Sequence, residues 1–230
     1  MKLLDTQLNL DGRKFGPAQE DPQKKAQEVQ IVVPGAASVG IKCKDGVVLA
    51  NERRSIWQYT IISKSVKKVF RITDRIGFTI GGLISDMQML TKYMRANANL
   101  YELNNDKPMK VKSLTKLLAN FLYQRKMAPF YTQIIVGGFD EAGPQLYTLD
   151  PIGSLIPDDF AAVGSSTTLA ISILEAEYTP EITVEEAKVL VEKAIVNSIK
   201  RDATVGDGID MLVITAEGSQ GFSKDLPGLK

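Results

Sequence analysis

The chain has no histidine among its 230 residues. That absence excludes Ser-His-Asp and Cys-His mechanisms and any zinc site built on imidazole, so catalysis would need lysine, a carboxylate or a free α-amino group as its base. A single cysteine, Cys43, permits no internal disulfide, and a reducing cytoplasm is the expected compartment. Cys43 lies in a strand pattern, where a buried inert thiol is the expected state. Neither sign of charge is in excess: 28 Lys and Arg meet 27 Asp and Glu, which argues against nucleic acid or an anionic membrane as partner. No run approaches about 18 apolar residues, and residues 1–30 lack a signal-peptide core.

What is present is a chain 44% hydrophobic, enough for a substantial core in one domain. Residues 1–35 read as a polar, mobile leader, with a short strand expected over Gln30–Val33, and residues 36–230 as the globular domain. The two are separated by Gly35-Ala36-Ala37-Ser38-Val39-Gly40. Alternating runs on either side of Lys44-Asp45-Gly46 predict a hairpin over residues 38–51. A second strand pair is expected from Gln58–Ser63 and Lys68–Ile72, then a glycine-bearing strand over residues 76–83.

Ser85-Asp86-Met87-Gln88 has the form of a capping box opening a helix to about Glu102, and Ser113 a second, with Leu114, Leu117, Leu118, Phe121 and Leu122 on one face. Strand signals return at 131–136, 145–149 and 153–156, with Gly137 and Gly138 as punctuation. Two more helices, over about 167–178 and 184–200 after a Thr183/Glu186 capping box, precede a closing strand at Gly208–Thr215. This order is not the alternation of a parallel α/β protein. It predicts an α+β fold of four layers, αββα, with two antiparallel sheets between two helical layers.

The chain from Ser38 to about Glu217 resembles the β-type subunits of the proteasome core particle, archaeal-like members of the N-terminal-nucleophile hydrolases. The resemblance is carried by residues 39–54 (Val39-Gly-Ile-Lys-Cys-Lys-Asp-Gly-Val-Val-Leu-Ala-Asn-Glu-Arg-Arg54), Ser65-Val-Lys-Lys68, Ile80-Gly-Gly-Leu-Ile-Ser-Asp86, Gly137-Gly-Phe-Asp140, Leu149-Asp-Pro-Ile-Gly-Ser154, Val163-Gly-Ser-Ser166, Arg201-Asp202 and Gly206-Asp-Gly-Ile-Asp210. In that family a leader is cut between glycine and threonine, and the freed threonine attacks peptide carbonyls with its own α-amino group as base. The resemblance implies a threonine-type endopeptidase complex without cofactor or metal. It also implies stacked rings with α subunits and a catalytic β subunit, unfolded protein substrates and a regulatory ATPase acting through the particle.

By that resemblance Ala36 stands at the nucleophile position, Lys68 is the site lysine, Glu52 its carboxylate partner, Ser165 and Asp202 the supporting pair, and the Gly82 amide the oxyanion donor. Val205 stands where a second supporting serine is usual, and Ile56 where substrate-aligning members carry threonine. Val66, Ile80 and Ile84 are the other substrate-binding positions implied. Each residue also has a purely structural alternative. Lys68–Glu52 is equally a fold-stabilising ion pair, Ser165 a helix cap, Asp202 a partner of Arg201 or Lys200 or an acceptor of loop amides, and Gly82 a strand requirement.

Three readings follow. In the first, a non-catalytic β subunit retains its leader because a methyl group cannot attack a carbonyl. In the second, a threonine-type endopeptidase has had its threonine exchanged for alanine to hold the precursor. In the third, Ser38 or Cys43 serves as another nucleophile.

Overall fold

In this computed structural model the described residues are 35–58 and 60–226. The leader and the strand expected over Gln30–Val33 fall outside them, apart from Gly35. β1 (Ser38–Lys42) and β2 (Gly46–Glu52) form the expected hairpin, Val39 opposite Ala50 and Lys42 opposite Val47. Along β2, Val48 and Ala50 enter a core shared with helices, while Val47 and Leu49 enter a second core between two sheets. The period of two lets one strand bind two layers, and each Val or Leu so buried contributes about 1.5–3 kcal/mol.

The first sheet runs β10-β1-β2-β11-β12, with β10 at Phe160–Val163, β11 at Gly208–Thr215 and β12 at Gly218–Asp225. The second runs β5 (Val69–Thr73), β6 (Ile76–Gly82), β7 (Thr132–Asp140), β8 (Gly143–Leu149) and β9 (Leu155–Pro157), all antiparallel. Helices α1 (Ile84–Asn105) and α2 (Val111–Gln124) cover the second sheet, burying Met87, Leu90, Leu114 and Leu118 against Phe78 and Val136. Helices α3 (Thr167–Glu177) and α4 (Val184–Arg201) cover the first, burying Leu174, Val191 and Ile195 against Val39 and Ile41. The result is the expected four-layer αββα sandwich of an N-terminal-nucleophile fold. Among the described residues no helix is long and apolar enough to cross a membrane.

Several local expectations are corrected. The segment at 58–63 does not pair with 68–72: β4 (Thr60–Ser63) folds back on β3 (Ser55–Trp57), with Gln58 at φ 53 in the turn, and β5 pairs with β6. Ser85 caps nothing; α1 begins at Ile84, and Asp86 accepts the Tyr131 N–H at 2.9 Å instead. Helix α2 starts at Val111 rather than Ser113, because the Asp140 carboxylate supplies an acceptor for the Val111 N–H (2.9 Å) from outside the helix. The Thr183 capping box is present, Thr183 Oγ1 accepting from the Glu186 N–H and the Glu186 carboxylate from the Thr183 N–H. Gly137 does not punctuate: it sits mid-strand opposite Gly77, where a Cβ would come within 2.6 Å of Val47 Cγ1 on the facing sheet. Strands β10 and β12 were not expected at all.

Candidate active site

β2 ends at Glu52, and the segment leading into β5 ends at Lys68, so the two sheets deliver a carboxylate and an ammonium to one point. The pair is in direct contact, and both side chains are almost fully buried, 1% exposed for Lys68 and 0% for Glu52. Lys68 Nζ also donates to the carbonyls of Arg54 (2.7 Å) and Gly35 (3.0 Å), which accounts for all three of its protons. Glu52 Oε2 accepts the N–H of Arg54 (2.6 Å) and of Gly206 (3.1 Å). Burial is the largest influence on both groups. It pulls Lys68 below the usual lysine value against the opposing charge of Glu52, and pushes Glu52 above the usual carboxylate value against its hydrogen bonds.

On the other side of the Gly35–Ala36 peptide bond, the Ala36 N–H donates to Ser165 Oγ (3.2 Å) and its carbonyl accepts the Ser166 N–H (3.2 Å). Ser165 Oγ donates to Asp202 Oδ2 (2.9 Å), which also accepts from Ser166 Oγ (2.6 Å), while Asp202 Oδ1 accepts the N–H (2.8 Å) and Oγ1 (2.6 Å) of Thr204. Burial alone would push the Asp202 carboxyl up, but these bonds outweigh it and hold it below the ordinary range. Asp202 is the C-cap of α4 and makes no pair with Arg201 or Lys200, whereas its bond from the Thr204 N–H is a loop amide contact of the kind its structural alternative named. Ser165 is not a helix cap either, since Ser166 occupies that place without capping through its side chain.

Ala36 itself is fully buried. A Cβ on Gly81 would lie 3.1 Å from its methyl, and one on Gly164 within 2.3 Å of its carbonyl oxygen. Gly82 follows Gly81 with φ +130 and no room for a side chain, a Cβ there meeting the Tyr131 carbonyl at 2.0 Å. The cleft therefore brings a lysine, its carboxylate, a serine–aspartate pair and a glycine-rich strand end around one peptide bond. In that group residue 36 offers no oxygen.

The implied lining residues lie as follows in the fold. Ile80 is fully buried against Phe78 and Met87: on β6 the odd positions face between the sheets and the even ones face the helices, so Gly81, not Ile80, points toward Ala36. Val205 is fully buried in the core beneath the first sheet, with Ala37 and Ile209, so its side chain is not directed into the polar group. Ile56 is buried, and Val66 and Ile84 are half-buried.

Ser38 and Cys43 are closed as nucleophiles. Ser38 is fully buried and accepts from Asn51 Nδ2 at 2.6 Å, and burial, followed by the charges of Asp45 and Glu186, pushes the Cys43 thiol up to about 12. Sequence reasoning missed Asn51, Thr79 and Thr204. Asn51 binds Ser38, Thr79 Oγ1 (3.2 Å) and the Ile80 carbonyl (3.1 Å), tying β1, β2 and β6 together behind Ala36. Its signal was an amide in a strand otherwise apolar up to Glu52; Thr204 gave none beyond lying between Asp202 and Val205.

Residues 32–214 match the family model described as Proteasome subunit. The chain is 47% identical over 188 residues to proteasome subunit beta 2 of Thermofilum pendens, covering 82% of this chain and 92% of that protein. It is 48% identical over 189 residues to proteasome subunit beta 2 of Caldivirga maquilingensis, covering 82% and 94%. With proteasome subunit beta 1 of Staphylothermus marinus it shares 45% over 186 residues, covering 81% and 87%. The strand and helix order, the lysine–glutamate pair beside a Gly–Ala bond and these matches have one explanation: the chain belongs to the proteasome subunit family, among its archaeal β-type members.

Proposed function

We propose that this chain is a β-type subunit of the proteasome core that builds the protein-degrading particle without cutting peptide bonds itself. It assembles in stacked cytoplasmic rings with α subunits and a separate catalytic β subunit. The assembled particle takes unfolded protein substrates, delivered by a regulatory ATPase. The single observation that supports inactivity is that residue 36, whose N–H is held by the Ser165–Asp202 pair and whose preceding carbonyl is held by Lys68, carries only a methyl. A side chain without oxygen can neither attack a carbonyl nor carry out the acyl shift that frees a leader.

The test is assembly with α subunits alone, followed by intact-mass measurement and assay with short chromogenic peptides. The expected result is a leader still joined at Gly35–Ala36 and no turnover. Cleavage at that bond, or hydrolysis lost on changing Lys68, overturns it. The preserved lysine–glutamate and serine–aspartate contacts favour a second reading, in which alanine has been exchanged for the threonine of a working endopeptidase. A threonine codon at position 36 in the natural gene decides for it.

A further inference from the structure

We propose that Thr204 is the positioning residue of the Gly35–Ala36 junction, its hydroxyl fixing the Asp202 carboxylate that orients the serine holding the Ala36 N–H, and its body reserving the space beside residue 35 for glycine. The proposal rests on reading the cleft as a threonine-protease site in which residue 36 has lost its oxygen.

Thr204 Oγ1 donates to Asp202 Oδ1 at 2.6 Å and lies 3.2 Å from Ser165 Oγ, the atom that accepts the Ala36 N–H. The Thr204 N–H binds the same Asp202 oxygen at 2.8 Å, and this local closure fixes the threonine rotamer. Asp202 thus divides its oxygens, one for Thr204 and one for the two serines. On its other side the residue walls in Gly35: a Cβ built there would sit 2.2 Å from Thr204 Oγ1, 2.5 Å from its Cβ and 2.5 Å from its carbonyl oxygen. The hydroxyl missing at Val205 is therefore matched by one from the preceding position, because the loop turns Val205 into the core and Thr204 toward the junction.

Two substitutions in the full-length chain separate hydroxyl from bulk. Thr204→Val keeps the shape and removes the oxygen, while Thr204→Ser keeps the oxygen and removes a methyl. Amide hydrogen exchange at Ala36 should accelerate about five- to tenfold in Thr204→Val and stay within about twofold in Thr204→Ser, the size of one net hydrogen bond. Amides of β7 serve as the control, and if Thr204→Val loosens them too, Thr204→Ala replaces it. Unchanged protection of Ala36 in Thr204→Val, or equal loss in both variants, overturns the proposal. In an Ala36→Thr background the same pair is read by leader mass, with Thr204→Val slowing cleavage and Thr204→Ser leaving it near the parent rate; the reverse order also overturns it. If Ala36→Thr never loses its leader, the protease reading of the cleft fails, and the exchange measurement still decides the role of Thr204.

Discussion

The Lys68 ammonium donates to the Gly35 carbonyl at 3.0 Å, so the residue just before the family's cleavage point is itself a partner of the buried lysine. Glu52, the Arg54 carbonyl and the Gly35 carbonyl leave no proton of Lys68 unsatisfied. The uncut junction and the ion pair are one hydrogen-bonded unit, and changes to either should be felt by both.

Lys68→Ala should destabilise the subunit by roughly 3–5 kcal/mol, the cost of stranding a buried carboxylate, rather than the ~0–1 kcal/mol of an exposed pair. Burial of both side chains decides between the two magnitudes. Lys68→Met with Glu52→Gln should recover part of the loss, since no unpaired charge remains. Denaturant midpoints of the single and double variants measure this, and a Lys68→Ala midpoint equal to the parent's would contradict it.

Val205→Ser should lower stability by about 1–3 kcal/mol, because it removes a fully buried side chain from the core shared with Ala37 and Ile209 and buries a hydroxyl in its place. Combined with Ala36→Thr it should not speed leader cleavage, since the Ser165–Asp202 pair already holds the Thr204 hydroxyl. Leader mass over time, compared between Ala36→Thr and the double variant, checks it. Faster cleavage in the double variant would show that the loop can turn residue 205 outward.

The Asp202 carboxyl is held below its ordinary value in the fold, so its contribution carries a definite sign. A carboxyl depressed on folding stabilises above its unfolded pKa of about 3.9 and loses that contribution as pH falls through the lower, folded value. The stability difference between the parent and Asp202→Asn should therefore be largest at neutral pH and shrink below pH ~4. Thermal midpoints of both proteins from neutral to acid pH measure it. A difference that grows on acidification would mean that Asp202 is protonated in the fold.

Layer order was legible because period-two strands and period-3.6 helices carry their burial in their own spacing: Val47 to Ala50 on β2 and Leu114 to Leu122 on α2 bury as their patterns require. β12 was not, because Gly218-Ser-Gln-Gly-Phe-Ser-Lys-Asp225 buries little and takes its form from pairing with β11. Helix starts failed where acceptors came from afar, as Asp140 does for Val111. At the site, the family resemblance pointed to Lys68, Glu52, Ser165 and Asp202, which the fold gathers around the Gly35–Ala36 bond. It could not show that Lys68 also binds Gly35, that Val205 turns inward or that Thr204 turns outward, since these depend on loop dihedrals rather than residue type.

β1 is paired along both of its sides, to β10 and to β2, starting from Ser38 opposite Val163. Held on one flank from Ser38 and on both from Val39, with the Gly35 carbonyl accepting from Lys68, the chain at Gly35 has a stationary address. A fluorophore or affinity handle fused there would have its point of attachment fixed to the sandwich even if the handle itself tumbled. Distances measured from that point to a ring neighbour would then report the placement of the subunit rather than the wandering of a terminus.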